Sequence, residues 1–171
     1  MKLSDYLIAQ EGIDWPQVLQ PMHWILPREF TLWLVNRFGD LFIVLDDGSV
    51  HHLDMGTGGV TKLADDKDDF GEKIDLDDNA NDWLMIPLVD QLVASGMILG
   101  PGQCYSYRQL PVLGGDYTVA NTVIQDLSFH YATLGPIFEK IKDLPDGSKV
   151  KFVVEGLKKG RNFNSGGLFG V

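Results

Sequence analysis

Residues 30–64 read FTLWLVNRFGDLFIVLDDGSVHHLDMGTGGVTKLA, and how this stretch folds decides the class of the whole chain. In FTLWLVN, Phe30, Leu32 and Leu34 alternate with Thr31, Trp33 and Val35. These aromatic and β-branched residues suit a pleated surface. A helix opening at Pro27 and closing at Gly39 is the competing reading, and the alternation favours a strand. LFIVL (41–45) and VHHLD (50–54) flank DDGS, a hairpin turn in which Gly48 can take a positive φ without a Cβ penalty. MGTGG then leads into VTKLA (60–64). Four short strands near 30–36, 41–45, 50–54 and 60–63, so closely spaced, predict an antiparallel meander. With helices packed on one face of it, the fold class is α+β and the domain is single.

The flanking segments supply the helices. Ser4 before DYLIAQ and Asp14 before WPQVL read as N-caps of two short helices, with Pro16 tolerated in a first turn. In DWLMIPLVDQLVASG (82–96), Leu84, Leu88 and Leu92 share one helical face, Pro87 sets the helix start near Ile86, and Gly96 fits the position after the C-cap. GPGQCYSYRQLPVLGGDYT (100–118) reads as a strand followed by an ordered loop. Val123, Leu127, Tyr131, Leu134, Phe138 and Ile141 trace an apolar stripe that predicts a helix over 122–142, capped by Asn121 and broken or kinked at Gly135-Pro136. LPDGSKVKFVV adds a turn and a last strand. The expected domain is 1–155, with a Gly/Lys-rich, weakly ordered tail over 156–171.

Composition narrows the functional classes. A chain of 171 residues, 44% hydrophobic and 22% charged, has globular values and suits one domain. No apolar run approaches the roughly 20 residues needed to cross a bilayer, and MKLSDYLIAQEG lacks the apolar core of a signal peptide. One cysteine, Cys104, excludes an internal disulfide framework and fits a reducing cytoplasm, the expected location. The net charge of −10 is uneven, with −14 on residues 1–139 and +4 on residues 140–171. An acidic body repels phosphates, so neither nucleic acid nor a membrane surface is an expected partner.

LADDKDDFGEKIDLDDNAND (63–82) concentrates that charge, with eight acidic residues among the fourteen from Asp65 to Asp78. As a calcium loop it fails in both registers. Counting from Asp75 puts Ala80 where glycine is needed and Ile86 where the bidentate carboxylate belongs; counting from Asp66 puts Phe70 at a ligand position. A run of solvated aspartates does little to raise a carboxyl pKa, so a catalytic pair is not indicated either. What remains is a solvated connection between the sheet and the next helix, or a patch that meets a basic partner. The candidate partner-binding residues are Asp65, Asp66, Asp68, Asp69, Asp75, Asp77 and Asp78.

Other chemistry is sparse. His51 and His52 point to opposite faces of a strand, and His52 shares a face with Asp54, which makes at most two metal ligands. No metal and no other cofactor is expected. MGTGG lacks the lysine of a phosphate-binding loop and joins two strands. Cys104 with His130 is the only conceivable thiol dyad, and would make the chain a hydrolase; a packing cysteine is the simpler reading. No catalytic residue is assigned.

The order of segments resembles a known family. Trp24 with Leu26-Pro27, RFGDLF (37–42), DGSVHHLD (47–54), an acidic connection, DWL (82–84), GPGQCYSY (100–107), LGG (113–115) followed by Asn121, and LPDG (144–147) are together similar to the Tdi-type domain of bacterial immunity proteins associated with type VI secretion. There is a more distant similarity to the SUKH immunity group. The likeness spans roughly residues 20–150. It implies a non-enzymatic, cytoplasmic α+β domain that binds and neutralises a cognate toxin, in some cases a nuclease, and it assigns no catalytic residue. A regulatory interaction domain without a toxin is the alternative.

Overall fold

The computed structural model describes residues 2–145, 147–149, 152–153 and 162–163. The stretch from Phe30 to Ala64 forms the meander expected of it. β1 (Thr31–Val35), β2 (Leu41–Val44), β3 (Val50–Leu53) and β4 (Val60–Ala64) lie in the order β1-β2-β3-β4, each antiparallel to the next. Leu41 faces Leu53 and Val44 faces Val50, so the apolar residues of the central pair coincide in register. In β2, Leu41, Phe42 and Ile43 are all buried, because both faces of this inner strand are covered, whereas most of β4 is exposed as befits an edge. The other edge is partly closed by the N-terminal segment, where Ile8 N–H donates to the Val35 carbonyl at 2.8 Å.

A second, two-stranded sheet pairs β5 (Gln103–Tyr107) with β6 (Thr122–Asp126). Tyr105 N–H donates to the Arg37 carbonyl at 2.8 Å, tying this sheet to the β1–β2 turn. Thr122–Asp126 was expected to open the long helix. Its apolar residues instead join a ladder, and the helix starts five residues later than expected, as α5 (Leu127–Ile141). The reason is tertiary: β5 offers a full row of pairing groups to a segment whose β-branched Thr122, Val123 and Ile124 suit a strand as well as a helix. Asn121, expected as a helix cap, instead accepts from Gln109 N–H and donates to the Gln109 and Asp116 carbonyls, holding the loop between β5 and β6. Gly115 packs so closely on Gln109 that a Cβ would lie 1.9 Å from its carbonyl oxygen.

α5 runs through Gly135-Pro136 without the expected break. Pro136 brings no N–H to the ladder, but tertiary contacts hold the segment helical. The Gly135 carbonyl accepts the Trp24 indole N–H at 3.1 Å, and Gly135 sits against the Pro21 carbonyl, where a Cβ would lie 2.3 Å from the oxygen. α5 packs on β5, β6 and the turn at 20–22 through buried Leu127, Tyr131, Leu134 and Phe138.

At the N-terminus, residues 3–6 form one 3-10 turn that begins after Lys2 rather than a helix capped by Ser4. α1 (Trp15–Val18) is capped by Asp14 as expected. Between the sheets lie α2 (Lys67–Ile74), α3 (Asn79–Leu84) and α4 (Ile86–Ala94). Leu84, Leu88 and Leu92 are buried, Pro87 lies in the first turn of α4, and Gly96 takes φ +89° just beyond its end. α3 and α4 are separated by the single residue Met85, which adopts the left-handed conformation at φ 55°.

The last strand expected near the C-terminus is present as β7 (Phe152–Val153), paired with β8 (Asn162–Phe163). The rest of the expected tail lies outside the described residues. No helix among the described residues is long and apolar enough to cross a membrane.

Candidate functional site

The turn between β1 and β2 builds the most elaborate polar site among the described residues. Asn36, fully buried, accepts the N–H groups of Phe38 and Asp40 on its side-chain oxygen at 2.9 and 3.0 Å. Its amide donates to Asp40 Oδ2 at 2.8 Å and to the Trp83 carbonyl at 3.0 Å. Gly39 takes φ +77°, its carbonyl accepts the Tyr131 hydroxyl at 2.6 Å, and a Cβ there would lie 3.0 Å from His130 Nε2. Turn and helix are thus locked together, and the FGD segment serves to direct Asp40 inward.

Asp40 Oδ1 accepts Met55 N–H at 2.7 Å, and Oδ2 lies 3.3 Å from His52 Nε2. The His52 ring stacks on Phe42 with centroids 4.8 Å apart. Asp54, two residues along, accepts Gly56 N–H at 2.7 Å and the Thr57 hydroxyl at 3.0 Å. Asp40, His52 and Asp54 line a cavity of about 390 Å³ whose other walls include Asp82, Met85, Leu88 and Gln91 from the α3–α4 junction and Tyr117 from the loop between β5 and β6.

Burial lowers the pKa of His52, but the hydrogen bond and charge of Asp40, with the charge of Asp54, outweigh it and the net shift is upward. Burial and repulsion from Asp40 raise the Asp54 carboxyl, against the pull of Gly56 N–H, Thr57 and His52. Chemically the site is a set of anionic acceptors with one imidazole. Among the described residues no group of three or more His, Cys, Asp or Glu side chains is arranged to hold a metal ion.

The acidic run is not an open loop. It folds into α2 and α3, and several of its carboxylates have structural posts. Asp66 caps α2, accepting Asp69 N–H at 2.8 Å. Asp69, in the first turn, accepts Asp65 N–H at 2.8 Å and pairs with Lys73 at 2.7 Å; the hydrogen bond from Lys73 is the main cause of its lowered pKa. Asp65 pairs with Lys62 at 2.7 Å. Asp75 ends α2, Asp77 takes φ 50°, and Asp78 precedes α3. Acidic residues crowd the helix starts, where the macrodipole favours them. Phe70 and Ile74 hold α2 down, with Phe70 stacked on Trp83. Of the seven, only Asp69 is partly covered; Asp65, Asp66, Asp68, Asp75, Asp77 and Asp78 are all exposed.

The thiol pair offers no route to a substrate. Cys104 and His130 are both fully buried, and burial pushes the thiol pKa up and the imidazole down to about 4. His130 Nδ1 instead meets Ser106 Oγ at 3.1 Å. Of the cavity residues, only the pairing of His52 with Asp54 on one strand face is visible in sequence. Asp40, Asp82 and Tyr117 are brought to it by a turn, a helix and a loop far apart in the chain.

Fold and site together describe a single α+β domain with a carboxylate-lined cavity. Residues 64–137 match the family model described as T6SS immunity protein Tdi1, C-terminal, so this segment is similar to the Tdi-type immunity proteins of type VI secretion. It contains the acidic helices, α4 and the β5–β6 sheet. The match supports a type VI secretion immunity protein, in agreement with the resemblance read from the sequence. No curated protein matches the chain. Among solved structures, the crystal structure of Atu4351 from Agrobacterium tumefaciens is similar over 91% of this chain and 70% of that one, with 14% identity and a TM-score of 0.44.

Proposed function

We propose that this protein neutralises a cognate type VI effector in the cytoplasm by binding it, without catalysis of its own. The observation that carries the reading is the family match over residues 64–137. The charge distribution supports it and specifies the partner. A toxin that acts on nucleic acid must present a positive surface to its substrate, and a body of charge −14 can occupy that surface. The partner is accordingly a basic toxin, and a nuclease fits best. Asp65, Asp66, Asp68, Asp69, Asp75, Asp77 and Asp78 lie on the α2–α3 surface that such a toxin would meet first.

Co-expression with a basic type VI effector of nuclease type tests the reading. The expected result is a stable complex that co-purifies, cells that survive the toxin, and an association rate that falls steeply with salt. Absence of both complex and protection would overturn it.

A further inference from the structure

We propose that a second copy of this chain covers the groove between α4 and the N-terminal turn. The two copies form a two-fold dimer centred on Val93 and Ile98, in which Arg37 of each pairs with Asp90 of the other. The inference goes beyond the immunity reading and does not depend on it.

The groove has a volume of about 540 Å³, with Val89 and Tyr105 buried beneath it and Val93, Ala94 and Ile98 exposed along it. Val93 is 48% and Ile98 61% exposed. One exposed aliphatic residue is ordinary, but two lining a single apolar groove mark a contact surface. Ile98 is not exposed through slack in the chain. Gly96, at φ +89°, turns the backbone out of α4, and Met97 is then held on both sides. Its N–H donates to the Leu92 carbonyl at 3.0 Å, and its carbonyl accepts the Tyr105 hydroxyl at 2.5 Å. A side chain presented by a fixed backbone loses little freedom when a second surface covers it.

The charges of the groove select what covers it. Arg37, Asp5 and Asp90 all line it, yet among the described residues no ion pair joins Arg37 to either carboxylate. Arg37 Nε donates to the Asp5 carbonyl at 3.0 Å, and this is the one hydrogen bond of the guanidinium among the described residues. Asp5 Oδ2 accepts the Lys2 N–H at 3.0 Å. Asp90 Oδ1 accepts the Tyr6 hydroxyl at 2.8 Å, and Oδ2 can accept a further donor. A covering surface of one sign would bury one of these charges against its like. A two-fold axis instead brings the arginine fork of each copy to the carboxylate of the other, a pairing whose planar geometries match. One patch then satisfies itself twice, as an isologous interface requires. A basic toxin fits this groove less well, because it would set its own cations against Arg37. None of the seven candidate partner-binding aspartates lines the groove, so dimer and toxin draw on different residues.

Sedimentation equilibrium of the full chain tests the proposal, at about 150 mM salt, where repulsion between the acidic bodies is screened beyond about 8 Å. The expected result is a concentration-dependent rise from 19.0 kDa towards twice that mass. The double variant Val93→Ser, Ile98→Ser should weaken the dimer about tenfold or more. Both side chains are exposed, so this variant is expected to keep the wild-type circular dichroism. Arg37→Glu and Asp90→Lys should each abolish dimerisation. An equimolar mixture of the two should restore it, because the mixed dimer again sets opposite charges against each other at both contacts. A wild type that stays monomeric, or a serine variant that dimerises as tightly, would overturn the proposal. So would a mixture that remains monomeric while each charge variant keeps its fold. If Asp90→Lys unfolds on losing the Tyr6 bond, the serine variant decides alone. A monomeric wild type whose toxin binding is weakened by the serine substitutions would give the groove to the toxin instead. The immunity reading survives each of these results and falls only if complex and protection are both absent.

Discussion

Asp40, beside β2, and Asp69, in the first turn of α2, both accept a backbone N–H, from Met55 at 2.7 Å and from Asp65 at 2.8 Å, yet they stand in opposite environments. Asp40 is 4% exposed and is satisfied by an amide, a backbone N–H and an imidazole. Asp69 is only partly covered and shares its charge with a half-exposed lysine. The buried carboxylate organises the β1–β2 turn and the floor of the cavity, so removing it strands several donors at once. The exposed ones ease two helix starts and contribute field, which can be lost piecemeal. Acidic charge in this protein is thus of two kinds, one that specifies shape and one that decorates it.

The largest expected effect breaks the comparison from the buried side. Asp40→Ala leaves Met55 N–H and the Asn36 amide without their acceptor and His52 without its partner, and is expected to cost about 3–5 kcal/mol of stability, measured by denaturant unfolding. A loss below about 1 kcal/mol would show that water replaces the carboxylate and that the site is not the hub described here.

The next effect concerns pH. His130 is held neutral with its pKa near 4, against an ordinary value of 6.5, through burial. Because the folded value is depressed, the unfolded chain binds the extra proton first. Stability is therefore lost as pH falls below about 6.5, by about 2 kcal/mol between pH 7 and pH 5. His52 works in the opposite direction: its raised pKa adds stability below its unfolded value, and that contribution is lost as pH rises through the folded one. The His130→Leu variant should flatten the acid-side loss; an unchanged slope between pH 7 and pH 5 would assign that loss to other groups.

A smaller effect sharpens the comparison on the exposed side. Asp66→Ala removes the N-cap of α2 and should cost about 1 kcal/mol, readable by thermal unfolding, with Asp66→Asn nearly neutral because asparagine caps as well.

The smallest effect on stability is expected from neutralising Asp68, Asp75, Asp77 and Asp78 together. The unfolding midpoint should stay within about 2 °C of wild type, since relieved repulsion offsets what little the charges contribute. Association with a basic toxin should nevertheless slow and lose part of its salt dependence, measured by stopped-flow. Wild-type kinetics at low salt would mean that this surface is only solvated.

Much of the fold was legible because its signals are local. The DDGS turn with Gly48, the cap at Asp14, the start of α4 near Ile86 and the glycine after its end each depend on φ preferences and hydrogen bonds among residues close in the chain. The failures came where a distant partner decided. Thr122–Ile124 became a strand because β5 was there to pair with it, and Gly135-Pro136 stayed helical because Trp24 and Pro21 hold it. The acidic run was read as a connection since its charge dominates its pattern. Phe70 and Ile74, four residues apart, were the quieter sign of a helix with one face to bury.

The sequence alone determined the α+β class, the meander, the acidic character and the Tdi-type resemblance, all of which rest on composition, local periodicity and the order of short motifs. Only the tertiary structure decided which aspartates are buried and which are free, and that Asp40, His52, Asp54, Asp82 and Tyr117 share one cavity. Burial and proximity depend on how distant segments pack, and no local preference encodes the distance between a turn at residue 40 and a loop at residue 117.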